Sequence, residues 1–138
     1  DVQYLMKVES PAPIAMTSAP GKRLPANCTA LGKALLCEHT LEELKALFNG
    51  KLVRLTEHSV VDIDVLYQQL LEVRRTGIAQ EKEENYEFVQ CIATPLYKNG
   101  KPVLALSISF PTFRYTEEKN EKLKKLLLDA KMSLELII

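Results

Sequence analysis

The spacing of apolar and polar positions along the chain predicts a mixture of strands and helices. Residues 2–8 and 14–18 are candidate strands, and residues 19–22, which contain a Pro-Gly pair, are typical of a turn. Residues 29–37 are short and rich in Ala and Leu, a composition that favours a helix.

Capping residues predict two further helices. Thr40 followed three residues later by Glu43 matches the capping-box pattern, in which each side chain accepts a bond from the other residue's backbone N–H. Asp62 or Asp64 can cap the next helix, which we expect to run through Arg75.

A last helix is predicted to begin at Thr116, with Glu117 and Glu118 in its first turn, where negative charge is favourable. A pair formed by Glu121 and Lys125 is expected on its surface. The predicted buried stripe consists of Leu123, Leu126, Leu127, Ala130, Leu134 and Ile137.

The clearest sheet signal is a pair of apolar runs, residues 87–98 and 101–110, joined at Asn99-Gly100. An antiparallel hairpin combined with several helices predicts an α+β sandwich. Residues 2–8 have nothing before them that could pair with or cover a strand, so we expect a fragment that lacks its first elements.

Composition narrows the functional classes. The 138 residues are 46% apolar, which is enough to bury the core of one domain. The 18 Lys and Arg balance the 18 Asp and Glu, whereas a domain that grips nucleic acid by itself needs a basic surface. No apolar run approaches the roughly 18 residues of a membrane helix, and no signal peptide is visible, so we expect no membrane association and a cytoplasmic protein.

Neither a metal site nor an active site is indicated. Cys28, Cys37 and Cys91 form no C-x-x-C pair, and we expect all three to be reduced thiols. His39 and His58 are interpreted as lone surface histidines, since nothing in the spacing ties either to a nucleophile. We therefore expect no cofactor and no enzymatic activity.

The second hairpin strand separates its side chains by size. Leu104, Leu106, Ile108 and Phe110 share one face, whereas Val103, Ala105, Ser107 and Ser109 share the other. The bulky face suits a core. The small face leaves room, and its hydroxyl groups can donate to a carboxylate or a polar sugar acid.

Two registers of the hairpin are possible. A two-residue turn at Asn99-Gly100 places Ile92 beside Ser107, whereas a three-residue loop with a bulge places Cys91 opposite Ser107. We favour the three-residue loop, because it puts Cys91, Ala93 and the two serines on one face of uniform character.

Two other patterns carry little weight. Gly32-Lys33 lacks the preceding glycine and the following Ser or Thr of a phosphate loop, so its small neighbours are better explained by close approach of a helix to the sheet, with its first amides available to an anion. The acidic residues between Glu81 and Glu87 are expected to be mostly a solvated loop, with Glu81 alone able to turn inward.

An ordered set of motifs resembles the IclR-type transcriptional regulators. Leu24-Pro25 followed by Thr-Ala-Leu-Gly-Lys-Ala-Leu-Leu at residues 29–36 is similar to one family segment, and residues 66–79, ending in Arg-Arg-Thr-Gly-Ile-Ala, are similar to another. Glu83-Glu84, Cys-Ile-Ala-Thr-Pro at residues 91–95 and Leu-Ser-Ile-Ser at residues 106–109 resemble the rest.

The resemblance implies the C-terminal effector-binding domain, with a GAF-like fold. It implies a small-molecule effector, dimers or tetramers, and DNA contact only through a winged helix-turn-helix domain that this chain does not contain. The effector would change how the assembly, a repressor for example, holds its operator. An oligomerisation module with an empty or closed pocket is the alternative.

Carried over by position, the family's pocket contacts are Ala30, Leu31, Glu81, Cys91, Ser107 and Ser109. The alternation of side chains along the hairpin selects Cys91 and the two serines independently. The sequence departs from the family where Glu81 stands in place of an aspartate, and where Phe88 and Phe110 stand in place of glycines and could reshape the mouth.

Overall fold

The computed structural model describes residues 1–9 and 19–138; the predicted strand at 14–18 lies outside this part of the chain. In chain order the elements are β1 (Val2–Gln3), β2 (Arg23–Leu24), α1 (Ala30–Leu36), α2 (Leu41–Phe48), α3 (Ile63–Thr76), β3 (Ala79–Lys82), β4 (Val89–Lys98), β5 (Lys101–Pro111) and α4 (Glu117–Glu135). The mixture of helices and antiparallel sheet confirms the predicted α+β class.

The strands of the described residues form two antiparallel sheets. β1 pairs with β2 in a two-stranded ribbon, and β3, β4 and β5 form a three-stranded sheet in that order. β1 is much shorter than the strand predicted over residues 2–8. The turn at residues 19–22 is confirmed, since Lys22 N donates to Ala19 O at 3.0 Å and Gly21 has φ 85°.

The favoured hairpin register was wrong, although the faces it was chosen to explain are correct. Lys98 pairs with Lys101 across a two-residue turn, in which Asn99 and Gly100 both have positive φ (53° and 74°). These angles are those of a type I′ turn, whose twist suits a hairpin.

A bulge then restores uniform faces. The register shifts at Leu96 and Tyr97 and leaves Val103 unpaired, so that Cys91 lies opposite Ser109 and Ala93 opposite Ser107. One extra residue on β5 thus reconciles the tight turn with separate small and bulky faces.

Helices cover both faces of the three-stranded sheet. On the small face, Ala30, Ala34 and Cys37 of α1 pack with Ala79 and Ala93. On the bulky face, three leucines of α4 pack against apolar residues of the sheet and of the segment before β3. The cluster consists of Leu123, Leu127 and Leu128 from α4, with Ile78, Ile92, Leu106 and Ile108. The sheet is therefore the middle layer, which explains why its two faces differ in side-chain size.

Close approach of α1 depends on Gly32. A Cβ at this position would lie 2.1 Å from Ala26 O and 2.5 Å from Ala26 Cα, and both are backbone atoms. Thr29 caps the helix by accepting a hydrogen bond from Gly32 N at 3.0 Å.

The other predicted helix ends are confirmed. Thr40 and Glu43 form the reciprocal capping box of α2. Asp62, not Asp64, caps α3, whose C-cap is Gly77 with φ 78°. Thr116 caps α4.

The predicted stripe of α4 was partly wrong. Leu127 is buried, but Leu126 is 58% and Ile137 is 78% exposed. Lys124 rather than Lys125 pairs with Glu121, at 3.4 Å. Asn120 is also buried, so the inner face is rotated away from Leu126.

A buried ion pair ties α1 to the segment that follows β3. Lys33 Nζ lies 2.7 Å from Glu84 Oε2, and both side chains are buried. Lys33 Nζ also donates to Gln80 O at 3.5 Å. The expectation that the acidic cluster is mostly solvated was wrong for Glu84, because a buried lysine on α1 needs its charge neutralised.

Replacement of Gly32 tests the close approach of α1. Helix propensity alone favours Ala over Gly by about 1 kcal/mol. Because the added Cβ would overlap backbone, we expect Gly32→Ala to lower the free energy of unfolding by about 3 kcal/mol or more in urea denaturation. Gly50→Ala is the control: Gly50 has φ 71° and open space around it, so we expect only about 1 kcal/mol of left-handed strain. A Gly32→Ala protein as stable as the wild type would contradict the packing.

Removal of one charge tests the buried pair. Lys33→Met leaves Glu84 buried without a partner, so we expect a loss of about 3–5 kcal/mol in the same denaturation assay. Lys33→Met combined with Glu84→Gln removes the uncompensated charge and should regain a large part of that loss. Equal losses in the single and double variants would show that the pair is not what stabilises this contact.

Candidate functional site

A cleft lies between the N-terminal end of α1, the small face of the three-stranded sheet and the segment that joins β3 to β4. Its cavity volume is about 20 Å³, and about 350 Å³ is free of protein atoms when the open mouth is counted. Of the six predicted site residues, five line it, namely Ala30, Leu31, Glu81, Cys91 and Ser109. Ala30 and Ser109 thus line the same cleft, although they are 79 positions apart in the sequence.

The sixth predicted residue, Ser107, does not line the cleft. It lies on the same face of β5, opposite Ala93, and is half-buried. Its hydroxyl acts on the cleft through Cys91, since it lowers the pKa of that thiol against the larger effect of burial.

Cys91 and Ser109 form a directly paired position of β4 and β5. Ser109 Oγ lies 3.4 Å from Cys91 Sγ and donates to it. Burial raises the pKa of the Cys91 thiol to about 11, against the opposing effect of the Ser109 hydrogen bond. The thiol is therefore neutral at physiological pH, which suits a ligand contact and not a nucleophile.

Glu81 lies beside Cys91 across the β3–β4 pairing and is only 4% exposed. Its Oε1 accepts hydrogen bonds from Glu84 N at 2.6 Å and Asn85 N at 2.9 Å. Burial raises the pKa of Glu81 to about 7; these two amides and Lys33 oppose the rise, and Glu84 adds to it. The carboxylate thus shapes the segment that forms one wall of the cleft.

Residues between α2 and α3 contact the side of that wall that faces away from the cleft. Ser59 Oγ donates to Glu84 O at 2.6 Å and accepts from Thr56 N at 2.9 Å. Thr56 Oγ1 donates to Glu83 O at 2.6 Å. The segment between α2 and α3 is consequently hydrogen-bonded to the cleft wall.

The sequence did not predict the other five residues that line the cleft, which are Tyr4, Thr29, Asn85, Tyr86 and Val89. Tyr4 follows β1, and its backbone bonds Lys22 O at 3.0 Å and Gly21 N at 2.7 Å. Alternation places Tyr4 on the same side as Val2, which is buried, and that pattern was the available signal. Burial, then Cys91, Glu81 and Tyr86, raises the pKa of Tyr4 to about 12.

Neither phenylalanine that departs from the family pattern lines the cleft. Phe88 is 70% exposed, with φ 64°. Phe110 lies on the opposite face of β5 from Ser109 and stacks on Tyr115, with ring centroids 6.4 Å apart. The cleft therefore presents hydroxyl, thiol, phenol and carboxyl groups between apolar walls.

Two other properties concern the described part of the chain as a whole. Residues 1–9 and 19–138 contain no group of three or more His, Cys, Asp or Glu side chains arranged to hold a metal ion. In the same residues, no helix is both long enough and apolar enough to cross a membrane.

The curated proteins that the chain resembles include HTH-type transcriptional regulators. The chain is 34% identical over 131 residues to the HTH-type transcriptional regulator KdgR of Escherichia coli K12, covering 94% of this chain and 50% of that protein. It is 37% identical over 108 residues to the HTH-type transcriptional repressor AllR of Salmonella typhimurium, covering 77% of this chain and 40% of that protein. The chain thus spans about half the length of these relatives, which are regulators.

Solved structures agree in fold. The C-terminal domain of E. coli KdgR superposes with a TM-score of 0.77 at 34% identity, covering 85% of this chain and 73% of that one. The inducer-binding domain of PobR from Acinetobacter, a double mutant in complex with 3-hydroxybenzoic acid, gives 0.75 at 26% identity, covering 90% and 75%.

The sequence pattern described as "Bacterial transcriptional regulator IclR C-terminal" matches residues 1–135, nearly the whole chain. Together with relatives above 30% identity over most of the chain, this match confirms the resemblance drawn from the motifs. The chain belongs to the IclR family of bacterial transcriptional regulators and corresponds to the family's C-terminal domain.

Proposed function

We propose that this domain senses a small organic acid or related metabolite, bound in the cleft between α1, β3, β4 and β5. The observation that carries the proposal is the convergence of Ala30, Leu31, Glu81, Cys91 and Ser109 on one space. Ser107 completes the proposed set by its action on Cys91. Elements from three parts of the chain meet there, at the edge of the core that Ala30 forms between α1 and the sheet.

The chemistry of the cleft favours a small polar ligand with an apolar body. Ser109 and Cys91 offer a hydroxyl and a neutral thiol, while Leu31 and Val89 provide apolar contact. The related PobR domain holds 3-hydroxybenzoic acid, which combines a carboxylate, a hydroxyl group and a ring. Carboxylates, sugar acids among them, are therefore the effector class that we propose.

The wall of the cleft gives the effector a route to the rest of the molecule. A ligand in contact with Asn85 acts on the segment between β3 and β4. This segment is hydrogen-bonded to Glu81 on the cleft side and to Ser59 on the opposite side. Binding that favours one position of this wall shifts the population of the coupled segment between α2 and α3.

The remaining parts of the proposal concern the whole regulator. Its relatives named HTH-type regulators are about twice the length of this chain, so we propose that DNA is held by a separate winged helix-turn-helix domain. Self-association into dimers or tetramers stays a prediction, which light scattering would measure.

A thermal-shift panel tests the cleft. We expect at least one of lactate, D-gluconate, D-galacturonate and 3-hydroxybenzoate to raise the melting temperature of the chain. The stabilisation should grow with the logarithm of one plus the ratio of the ligand concentration to its dissociation constant. Ser107→Ala combined with Ser109→Ala should remove most of this rise, because the hydroxyls that face the ligand and Cys91 are lost. Ser133→Ala on α4, whose Oγ bonds only Asp129 O within its own helix, is the matched control and should keep the rise.

Two outcomes would contradict the proposal. A rise that persists unchanged in the double serine variant would place the ligand elsewhere. Dimer formation without a thermal response to any acid would favour an oligomerisation module with a closed pocket.

A further inference from the structure

Among the residues that the structure describes, the cleft is lined by one acidic side chain, Glu81, and by no Lys, Arg or His. Tyr4 and Cys91 are neutral at physiological pH, because burial raises the pKa of each. Residues 10–18, with the sequence Ser-Pro-Ala-Pro-Ile-Ala-Met-Thr-Ser, contain no basic side chain either. An acid that enters the cleft therefore meets negative charge without a compensating cation.

The cation that acts on Glu81, Lys33, is already neutralised. Lys33 Nζ lies 2.7 Å from Glu84 Oε2, bonds Gln80 O in addition, and is 1% exposed. The three buried ionisable groups Lys33, Glu84 and Glu81 sum to a charge of minus one when all are ionised. Lys33 and Glu84 neutralise each other, so the negative charge of Glu81 has no counterion among the three.

The Glu81 carboxyl group is fixed at the lining of the cleft, where its charge acts on a bound ligand. Both amide bonds to its Oε1 come from the cleft wall, at 2.6 and 2.9 Å, and the side chain is buried. The titratable groups that face it are Tyr4 after β1, Lys33 on α1, Glu84 and Tyr86 in the wall, and Cys91 on β4. Lys82, next to it on β3, is exposed, as alternation along the strand requires.

We propose that a carboxylate effector binds this cleft together with one proton, which is taken up by Glu81. The inference rests on the proposed function of the cleft. Two carboxylates that share a buried space cannot both stay ionised without a large cost, and protonation of one removes the repulsion. A protonated Glu81 can still accept the two wall amides and adds an O–H donor for the ligand.

The direction of the pH dependence follows from the free protein. Burial raises the pKa of Glu81 to about 7, and a bound carboxylate raises it further. Below about pH 6 Glu81 is already protonated, so the dissociation constant of a carboxylate should not change with pH. At pH 8 and above nearly every binding event must take up a proton, so affinity should fall with a slope that approaches tenfold per pH unit.

Isothermal titration calorimetry tests this coupling. The probe is the acid of the thermal-shift panel with the largest response, titrated at pH 6, 7 and 8 in phosphate and at pH 8 also in Tris, whose heat of ionisation differs. We expect the dissociation constant to weaken about tenfold from pH 6 to pH 8, with about fivefold of this change between pH 7 and pH 8. The heats at pH 8 should differ between buffers by the equivalent of about one proton.

Matched variants assign the proton to its residue. Glu81→Gln keeps an acceptor oxygen for the wall amides and should bind the acid with equal affinity at pH 6 and pH 8, without buffer dependence. Glu87→Gln changes an exposed glutamate of the same segment and should behave as the wild type. Circular dichroism checks that both variants fold.

Several outcomes would overturn the inference. Binding as tight at pH 8 as at pH 6, with no buffer dependence, shows that no proton is taken up. Tighter binding at pH 6 of a neutral counterpart, sorbitol against D-gluconate for example, shows that the cleft does not select the acid. If no acid binds at pH 6, the proposed function fails and this inference fails with it.

A measurement on the wild-type chain keeps the inference testable if Glu81→Gln does not fold. Carboxyl carbon NMR of the wild-type chain should show Glu81 titrating near pH 7, and its midpoint should rise when the acid is added. A midpoint near pH 4.5 in the free protein, or one unmoved by the acid, would contradict the inference.

Discussion

The contact on which the site depends is the buried ion pair between Lys33 and Glu84. A charged lysine on the inner side of α1 is costly to bury, and Glu84 at 2.7 Å compensates its charge. The pair therefore fixes where the segment after β3 lies against the helix. Because that segment contains Asn85 and Tyr86, the same contact sets the position of one wall of the cleft.

Small residues make this arrangement sterically possible. Gly32 lets α1 approach the backbone of Ala26, and Ala30, Ala34, Ala79 and Ala93 keep helix and sheet close. Where the small side chains of β5 continue past α1, the space is not filled, and the cleft opens beside Ser109. The large side chains on the other face of the sheet pack against Leu127 and Leu123 of α4.

Local signals in the sequence predicted the helices well. Caps such as Thr40, Asp62 and Thr116 act within one turn, so their effect can be inferred from neighbouring residues. β3 was missed because its four residues contain two charges and resemble a solvated loop. Glu84 was missed for a related reason, since its partner lies 51 positions away.

The site was predictable where alternation on a strand decides direction. Cys91 and Ser109 share a face whichever even register shift applies, so a wrong loop length did not change the set of residues. The Val103 bulge, by contrast, reflects the competition between a type I′ turn and two buried faces, which no single segment reveals. Tyr4 lies just after the two-residue strand β1, so its alternation with Val2 was the one local signal that it faces inward.

The central claim is that a small acid binds in the cleft beside β5. Backbone amide NMR of the chain, titrated with the responding acid at pH 6, tests it most directly. The account predicts that the largest shifts occur at Ala30, Leu31, Asn85 and Ser109. A second hollow, lined in part by Leu35, Leu47 and Phe48, offers the alternative location. Shifts confined to that hollow, with the cleft amides unmoved, would contradict the account.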